Sequence, residues 1–314
     1  FMRIVRDKMN VLSLFDGMSC GQLALNKANI KYDKYYASEI KKFAIELTKH
    51  HYPNTIHVGD VCKLRAKDLP KIDLLIGGSP CQDFSNVKIN GKGLEGDKSR
   101  LFYEYLRLYN ECKPKYFLLE NVKMKDFSKN QLDNYLGVSG ILINSSLVSY
   151  QTRARYYWTN IPNVTVPTDK NINFQDYKET NKDICKQYKL KKTKSRLQMW
   201  NNGLASDNVR VCKNITHSHK VGCLLRKQDR SPNSGLIEFE DFCRFLTREE
   251  LEQAQTVPIG YTGTLSYNQA QDVLGDGWTI DVIAHIFKGL KQKNKTSTTQ
   301  PYQLLLQLGE NHGR

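Results

Sequence analysis

Five short apolar runs in the N-terminal part of the chain each stop at a glycine or an acid, and this punctuation restricts the fold to an α/β sheet with polar residues gathered at the strand ends. Val11-Leu12-Ser13-Leu14 runs into Phe15-Asp16-Gly17, Tyr35-Tyr36-Ala37-Ser38 into Glu39, and Ile56-His57-Val58-Gly59 into Asp60. Ile72-Asp73-Leu74-Leu75-Ile76 runs into Gly77-Gly78-Ser79-Pro80-Cys81, and Lys115-Tyr116-Phe117-Leu118-Leu119 into Glu120-Asn121-Val122. Helical patterns lie between them, Gln22 to Ala28 and Phe43 to Lys49 among them, the second ending at His50-His51. Open sheets of this kind hold ligands outside the carboxyl ends of their strands. Those ends are therefore the first candidates for chemistry.

Cys81 is the candidate nucleophile. A cysteine behind Gly77-Gly78 and a proline sits in a rigid turn, where free backbone N–H groups stabilise the thiolate, the reactive form. A strand-end cysteine is also a common packed filler, so the neighbouring strand ends must decide. Gly17 and Gly21 let backbone approach a ligand closely, and the helix start that follows offers free N–H groups to a carboxylate. Phe15, Glu39 and Asp60 suit an adenine face, a ribose diol and an adenine amino group, which points to a nucleotide-like cofactor. In Gln151-Thr152-Arg153-Ala154-Arg155 the alternating arginines share a strand face. A thiol, a carboxyl and a guanidinium together can grip a pyrimidine ring.

In this order the segments resemble the DNA cytosine-5 methyltransferase family nearly end to end. Phe15-Asp16-Gly17 through Gly21 is similar to its cofactor loop, Pro80-Cys81-Gln82 to its nucleophile motif, Glu120-Asn121-Val122 to its glutamate motif and Gln151 to Arg155 to its Gln-x-Arg-x-Arg motif. Arg244-Phe245-Leu246-Thr247 with Glu249 and Glu250 resembles the segment after the recognition region, and Gly275 to Trp278 the final motif. The set is specific where any single member is weak. Tyr156-Tyr157-Trp158-Thr159-Asn160 and the short stretch from Val122 to Gln151 resemble the de novo subclass, whereas the Pro-Cys-Gln spelling resembles bacterial and phage enzymes. Abundant Lys, Asn, Ile and Tyr favour a bacterial or phage source.

The resemblance implies a Rossmann-like, doubly wound α/β fold of the S-adenosylmethionine-dependent methyltransferase type with a smaller target recognition domain. Its parts are a first catalytic segment at 1–160, the recognition domain at 161–242 and a return segment at 243–314. It also implies methyl transfer from S-adenosyl-L-methionine to carbon 5 of a flipped-out cytosine in duplex DNA, through a covalent cysteine adduct, with S-adenosyl-L-homocysteine as product. Cys81 attacks carbon 6, Glu120 binds the ring nitrogen and exocyclic amine, Arg155 holds the carbonyl oxygen and Arg153 makes a supporting or phosphate contact. The implied cofactor pocket comprises Phe15, Asp16, Gly17, Met18, Cys20, Gly21, Glu39, Ile40, Asp60, Val61, Pro80, Leu101, Asp276, Gly277 and Trp278. Ser85 to Gly96, with Gly91, Gly93 and Gly96, is expected to close over the flipped base. A transfer-RNA cytosine-5 methyltransferase shares this logic, although its Cys-Phe-Thr signature is not seen. A non-catalytic DNA-binding regulator is the alternative from another class.

Charge agrees with a polyanionic partner: 47 Lys plus Arg against 32 Asp plus Glu leave +15. Duplex DNA contacts are expected from Gln82, Ser85, Lys192, Lys194, Arg196 and Arg226, within a polar, lysine-rich region that begins after Asn160. Cys212, His217, His219 and Cys223 are residue types that bind zinc, but their spacing fits no familiar knuckle and no metal is expected. The eight cysteines show no disulfide-scaffold density, no apolar run spans a bilayer and no signal-peptide pattern is seen. Phe1 ahead of Met2 reads as a cloning remnant, and the expected location is the cytoplasm of a bacterial or phage-infected cell. A cognate restriction endonuclease is a candidate partner; the oligomeric state is open. Cys20 and Cys62 read as fillers, and Phe102, Tyr105 and Leu106 as core. Thr247 to Gln255 reads as a helix with a Thr247–Glu250 capping box that orients the recognition region, and Gly275 to Ile280 is expected to open an amphipathic helix reaching about Leu290.

Overall fold

Alternation along the central strands sorts the apolar side chains between two faces. A computed structural model describes residues 9–79, 100–195, 197, 213–226, 228 and 234–291. Its main sheet is built from β1 (Met9–Leu14), β2 (Tyr32–Ser38), β3 (Ile56–His57), β4 (Leu74–Gly78), β5 (Tyr116–Val122), β6 (Ile141–Asn144) and β7 (Ala154–Thr159), in the order β3-β2-β1-β4-β5-β7-β6. Val11, Leu74, Ile76 and Leu118 point into one apolar layer with Leu23 and Ala24 of α1 (Cys20–Lys27) and Ile283 and Phe287 of α8 (Ile280–Phe287). Leu12, Leu75, Phe117 and Leu119 point into the other, with Phe102 and Tyr105 of α3 (Arg100–Cys112) and Leu132 and Leu136 of α4 (Asp126–Leu136). A strand covered on both sides must be apolar throughout, which is why Leu74, Leu75 and Ile76 are all fully buried. Truncating any one of them to alanine costs about 2–5 kcal/mol.

The pairs β1–β2, β2–β3, β1–β4 and β4–β5 are parallel, and β7 runs antiparallel to both β5 and β6. The chain winds outward from β1 to β3 past α2 (Lys42–His51), then returns to β4 on the other side of β1. The strand order thus reverses between β1 and β4, the place where open sheets open a crevice. Register then lines up the ends: Leu14 lies opposite Ser38 and Gly77, and Gly78 opposite Glu120. The α/β, doubly wound architecture expected from the sequence is the one found.

A smaller antiparallel sheet, ordered β8-β10-β9, joins Lys189–Leu190 (β8), Ile237–Glu238 (β9) and Cys243–Arg244 (β10). It is anchored by Arg244, fully buried, whose guanidinium donates to both oxygens of Glu250 at 2.7 and 2.9 Å. Glu250 belongs to α6 (Arg248–Ala254) and closes the capping box expected from the sequence, with Thr247 as the cap. Its carboxylate also accepts from the Glu179 amide at 2.8 Å, so this helix start ties to the stretch that leads into α5 (Lys182–Gln187).

One local expectation needs correction. The helix expected to open at Gly275 does not: α7 (Tyr267–Asp276) ends there, Gly277-Trp278-Thr279 bends, and α8 starts only at Ile280. Gly277 is extended, and a Cβ on it would lie 2.8 Å from both Met18 Cε and the Val273 carbonyl oxygen. The break therefore lets the return segment press against the first loop. His51 ends α2 as expected, and there its ring stacks on Tyr261 at 3.9 Å and its Nε2 lies 2.7 Å from the Tyr261 carbonyl oxygen.

Candidate active site

The loop after β1 turns within five residues by placing Phe15, Gly17 and Ser19 at φ 58°, 57° and 61°. Left-handed backbone costs a non-glycine residue about 1–2 kcal/mol, so neighbouring groups must hold it. They do so with main-chain and side-chain bonds. The Asp16 amide donates to the Ser38 carbonyl at 3.1 Å, the Gly17 amide to Glu39 Oε2 at 2.8 Å and the Ser19 amide to the Asp16 carbonyl at 3.0 Å. Tyr261 donates its hydroxyl to the Met18 carbonyl at 2.7 Å, and Tyr35 to Asp16 Oδ1 at 2.8 Å. Burial holds the Asp16 carboxyl up at about 6, with a smaller push from Glu39, against hydrogen bonds from Ser13, Tyr35 and Ser19. Its Oδ2 is buried without a hydrogen-bond partner.

The next strand ends continue this edge. Glu39 Oε1 accepts from the Ile40 and Lys41 amides at 2.8 and 2.9 Å, and Ser38 Oγ donates to the Gly59 carbonyl at 2.7 Å. Asp60 Oδ1 takes the Cys62 amide at 2.9 Å. Beside Glu39, Ile40 is 72% exposed, a large apolar side chain held in the open next to a fixed carboxylate, while Val61 is buried. Cys20 is buried under Trp278, whose amide donates to its sulfur at 3.3 Å, and burial pushes that thiol up to about 12. Leu101, in the first turn of α3, packs partly buried on the second apolar layer.

On the other side of the sheet reversal stands Glu120, 7% exposed, directly opposite Gly78. Arg155 Nε lies 3.1 Å from Glu120 Oε1, and Trp278 donates its Nε1–H to Glu120 Oε2 at 3.1 Å. Gly78 makes room for that pair: a Cβ there would sit 2.8 Å from both Glu120 Oε2 and Trp278 Nε1. Asn121 donates from Nδ2 to Ser79 Oγ at 3.0 Å, fixing the last described residue before Pro80-Cys81. Arg153 is turned inward, donating to the carbonyls of Leu224, Gly275 and Gly277 at 3.2, 3.2 and 3.0 Å. A buried carboxylate with one guanidinium and one indole donor can bind a planar group carrying both a donor and acceptors.

The structure therefore brings Glu120, Arg153, Arg155, Gly277 and Trp278 together at one end of the crevice and Phe15 to Gly21, Glu39, Ile40, Asp60 and Val61 at the other. Pro80, Cys81, Gln82, Ser85 to Gly96 and Arg196 lie outside the described residues. Lys194 is exposed. Lys192 is tied to Glu238 Oε1 and the Glu240 carbonyl at 3.0 and 2.9 Å. Arg226 pairs with Asp272 and Asp276 at 3.1 and 3.3 Å; Lys41 shares both carboxylates, at 2.5 and 2.8 Å. Asp276 is thus an ion-pair partner joining α7 to the first half of the sheet. Of the four residues weighed for zinc, Cys212 is outside the described residues and Cys223 lies against Arg153 and Arg155; among the described residues no group of three or more ligand types gathers.

Sequence reasoning gave Asn121 no role of its own, did not see Gln151 as a stitch, and weighed Cys223 only among zinc-type residues. Gln151 is fully buried, donating to the Ala254 carbonyl at 3.0 Å and accepting from the Leu224 amide at 2.9 Å, so the first residue of its motif joins three segments and touches no open space. Its place in the motif was visible, but the partners come from residues more than seventy positions away. No pattern in a single chain announces such a pairing.

The profile of the family described as C-5 cytosine-specific DNA methylase matches residues 9–138. The orphan methyltransferase M.SPRI of Bacillus phage SPR is 41% identical over 118 residues, 37% of this chain and 27% of that protein. The type II methyltransferase M1.ScrFI of Lactococcus lactis subsp. cremoris is 42% identical over 118 residues, 37% of this chain and 29% of that protein. The chain matches under a third of the length of these curated relatives. Among solved structures, the Entamoeba histolytica methyltransferase EhMeth is similar with a TM-score of 0.71 at 17% identity, over 91% of this chain and 100% of that one. The S. pombe Dnmt2 methyltransferase gives a TM-score of 0.65 at 17% identity over the same shares. At such identities the likeness speaks for the fold.

Proposed function

We propose that this chain, which matches the C-5 cytosine-specific DNA methylase family through residues 9–138, methylates carbon 5 of a cytosine turned out of duplex DNA, with Cys81 as the nucleophile. The observation that carries the reading is the Glu120–Arg155 pair at 3.1 Å, buried beside the strand end that leads into Pro80-Cys81. Carbon 5 of cytosine is a weak nucleophile until a thiolate adds to carbon 6. Cys81 makes that bond, and the displaced electron pair runs to carbon 5, raising negative charge on the ring nitrogen and carbonyl oxygen. Glu120 meets the ring nitrogen and accepts a hydrogen bond from the exocyclic amine, while Arg155 faces the oxygen. After carbon 5 has taken the methyl group, loss of its proton to a base returns the electron pair and expels the Cys81 thiolate. Flipping the base costs a few kcal/mol, about the scale that a closing loop and these contacts can repay.

The residues present fit S-adenosyl-L-methionine. Asp16 keeps a buried, unpartnered carboxylate oxygen, suited to a cationic ligand group, and Ile40 offers exposed apolar surface beside the Glu39 carboxylate. Phe15, Glu39, Ile40, Asp60 and Val61 would hold the adenosine, and Asp16, Gly17, Met18, Cys20, Gly21, Pro80, Leu101 and Asp276 to Trp278 the remainder. When bound, that cofactor supplies a methyl group made electrophilic by its sulfonium. We assign 1–160 and 243–314 to the catalytic domain and 161–242 to target recognition, duplex DNA as the partner with Gln82, Ser85, Lys192, Lys194, Arg196 and Arg226 nearest to it, a cognate endonuclease as a second partner, and the cytoplasm as the location.

Tritium transfer from labelled cofactor tests the reading. Wild-type protein should label duplex DNA and leave transfer RNA unlabelled, and Cys81→Ser should lose labelling while still binding S-adenosyl-L-homocysteine by calorimetry. Unchanged labelling by Cys81→Ser, or labelling of transfer RNA alone, would overturn it.

A further inference from the structure

Cys223 stands in a charged cluster that the proposed reaction leaves unexplained. Its sulfur is 3.3 Å from Arg153 Nη1 and 3.7 Å from Arg155 Nη2. Arg155 in turn meets Glu120, whose second oxygen accepts from Trp278. Arg153 and Glu120 are buried and Arg155 and Cys223 half-buried, so water screens the charges here only in part. The sulfur is thus the one atom of the stretch after β7 that meets both guanidiniums among the described contacts.

We propose that Cys223 is a positioning residue of the target-base pocket, its sulfur fixing the Arg153 and Arg155 guanidiniums and thereby the face that Arg155 presents beside Glu120. The catalytic consequence rests on the methyl-transfer reading above; the chemistry of the cluster does not. Burial raises the Cys223 thiol, but Arg153 and then Arg155 lower it by more, so it lies below the ordinary cysteine value. Cys20, where burial wins, shows the opposite result. The charged groups acting on the sulfur are Arg153, from the segment before β7, and Arg155, on β7, with Glu120 of β5 behind Arg155. As a thiolate it accepts from both guanidiniums. As a thiol it would donate to the Leu224 carbonyl, 3.5 Å away, and release part of that hold. Because Leu224 is itself stitched to Gln151, a shift in the stretch that carries Cys223 is passed to the arginines.

The first test needs no activity. The 314-residue protein is alkylated with iodoacetamide across a pH series, and modification at Cys223 is read by peptide mass spectrometry. The midpoint should fall below that of a free cysteine and rise in Arg155→Gln; equal midpoints in the two proteins would overturn the proposal. The second test compares Cys223→Ala, Cys223→Ser and Cys223→Asp in methyl transfer, with circular dichroism as a control. Ala and Ser should lower kcat about tenfold with little change in KM, as expected for loss of a charged hydrogen bond, and Asp should recover to within about threefold of wild type. Wild-type kcat in Cys223→Ser, or an Asp variant as slow as Ala with intact folding, refutes it. If wild-type protein transfers no methyl group at all, the proposed function fails, and the alkylation midpoints still decide the role of Cys223.

Discussion

Removing one carboxylate, in Glu250→Ala, should cost this protein more than any surface change. Arg244 is 0% and Glu250 2% exposed at the side chain, and the two meet through a pair of bonds at 2.7 and 2.9 Å. Deleting Glu250 leaves a guanidinium buried without its counter-charge, which costs about 3–5 kcal/mol. The same carboxylate accepts from the Thr247 amide at 2.7 Å as half of the capping box, whose loss adds about 1 kcal/mol. A total near 4–6 kcal/mol compares with a whole-protein stability of about 5–15 kcal/mol. The variant should therefore unfold at markedly lower urea concentration, followed by far-ultraviolet circular dichroism. The paired replacement Arg244→Met with Glu250→Leu tests the cause, because swapping a buried ion pair for apolar residues is close to neutral when burial of an orphan charge is the penalty. It should recover most of the loss. A single variant that loses under about 1 kcal/mol, or a double variant no better than the single, would refute the reasoning.

Three further substitutions test the site. Gly78→Ala places a Cβ 2.8 Å from Glu120 Oε2 and Trp278 Nε1, so the variant should fold, by circular dichroism, yet transfer methyl groups at least tenfold more slowly than wild type. Asp16 carries a carboxyl raised from 3.8 to about 6, so its neutral form is favoured by the fold: stability from it is full below pH 4 and is lost as pH rises through 6. Asp16→Asn should remove that loss, gaining up to roughly 3 kcal/mol at pH 7.5 relative to wild type while showing little gain at pH 4, read from urea midpoints at the two pH values. The same substitution should weaken cofactor binding in calorimetry, since it removes the carboxylate expected beside the sulfonium. Asn121→Ala frees Ser79 Oγ and should lower kcat with little effect on the thermal midpoint, whereas an unchanged kcat would show that Ser79 needs no such anchor.

What the sequence disclosed and what it hid divide along a physical line. Strand ends were legible because burial on two faces forces continuous apolar runs, and the first polar residue after each run has to sit at the sheet edge. Glu39, Asp60 and Glu120 were found that way. The Thr247 cap was legible because a capping box uses residues only three apart. The bend at Gly277 was not, because what stops the helix there is Met18, from the other end of the chain, pressing where a Cβ would lie. Arg226 and Lys192 were singled out for DNA, but the ion pairs each makes with carboxylates from distant segments could not be read from spacing. Local chemistry writes itself into spacing; partnership across the fold does not.

That distinction bears on how the two ends of the crevice communicate. Trp278 donates its indole N–H to Glu120 and its amide to the Cys20 sulfur, and Arg153 grips the carbonyls on either side of Asp276. One turn of the return segment thereby touches the loop after β1, the Glu120 carboxylate and, through Arg153, the stretch around Leu224. None of these contacts is local, so none forms until the chain has come back across the sheet. A ligand that orders the loop from Met18 to Cys20 therefore also restrains Trp278, and through it the Glu120 carboxyl. Ordering at either end lowers the cost of ordering the other, so ligands at the two proposed sites should bind with favourable coupling without any need for a moving domain.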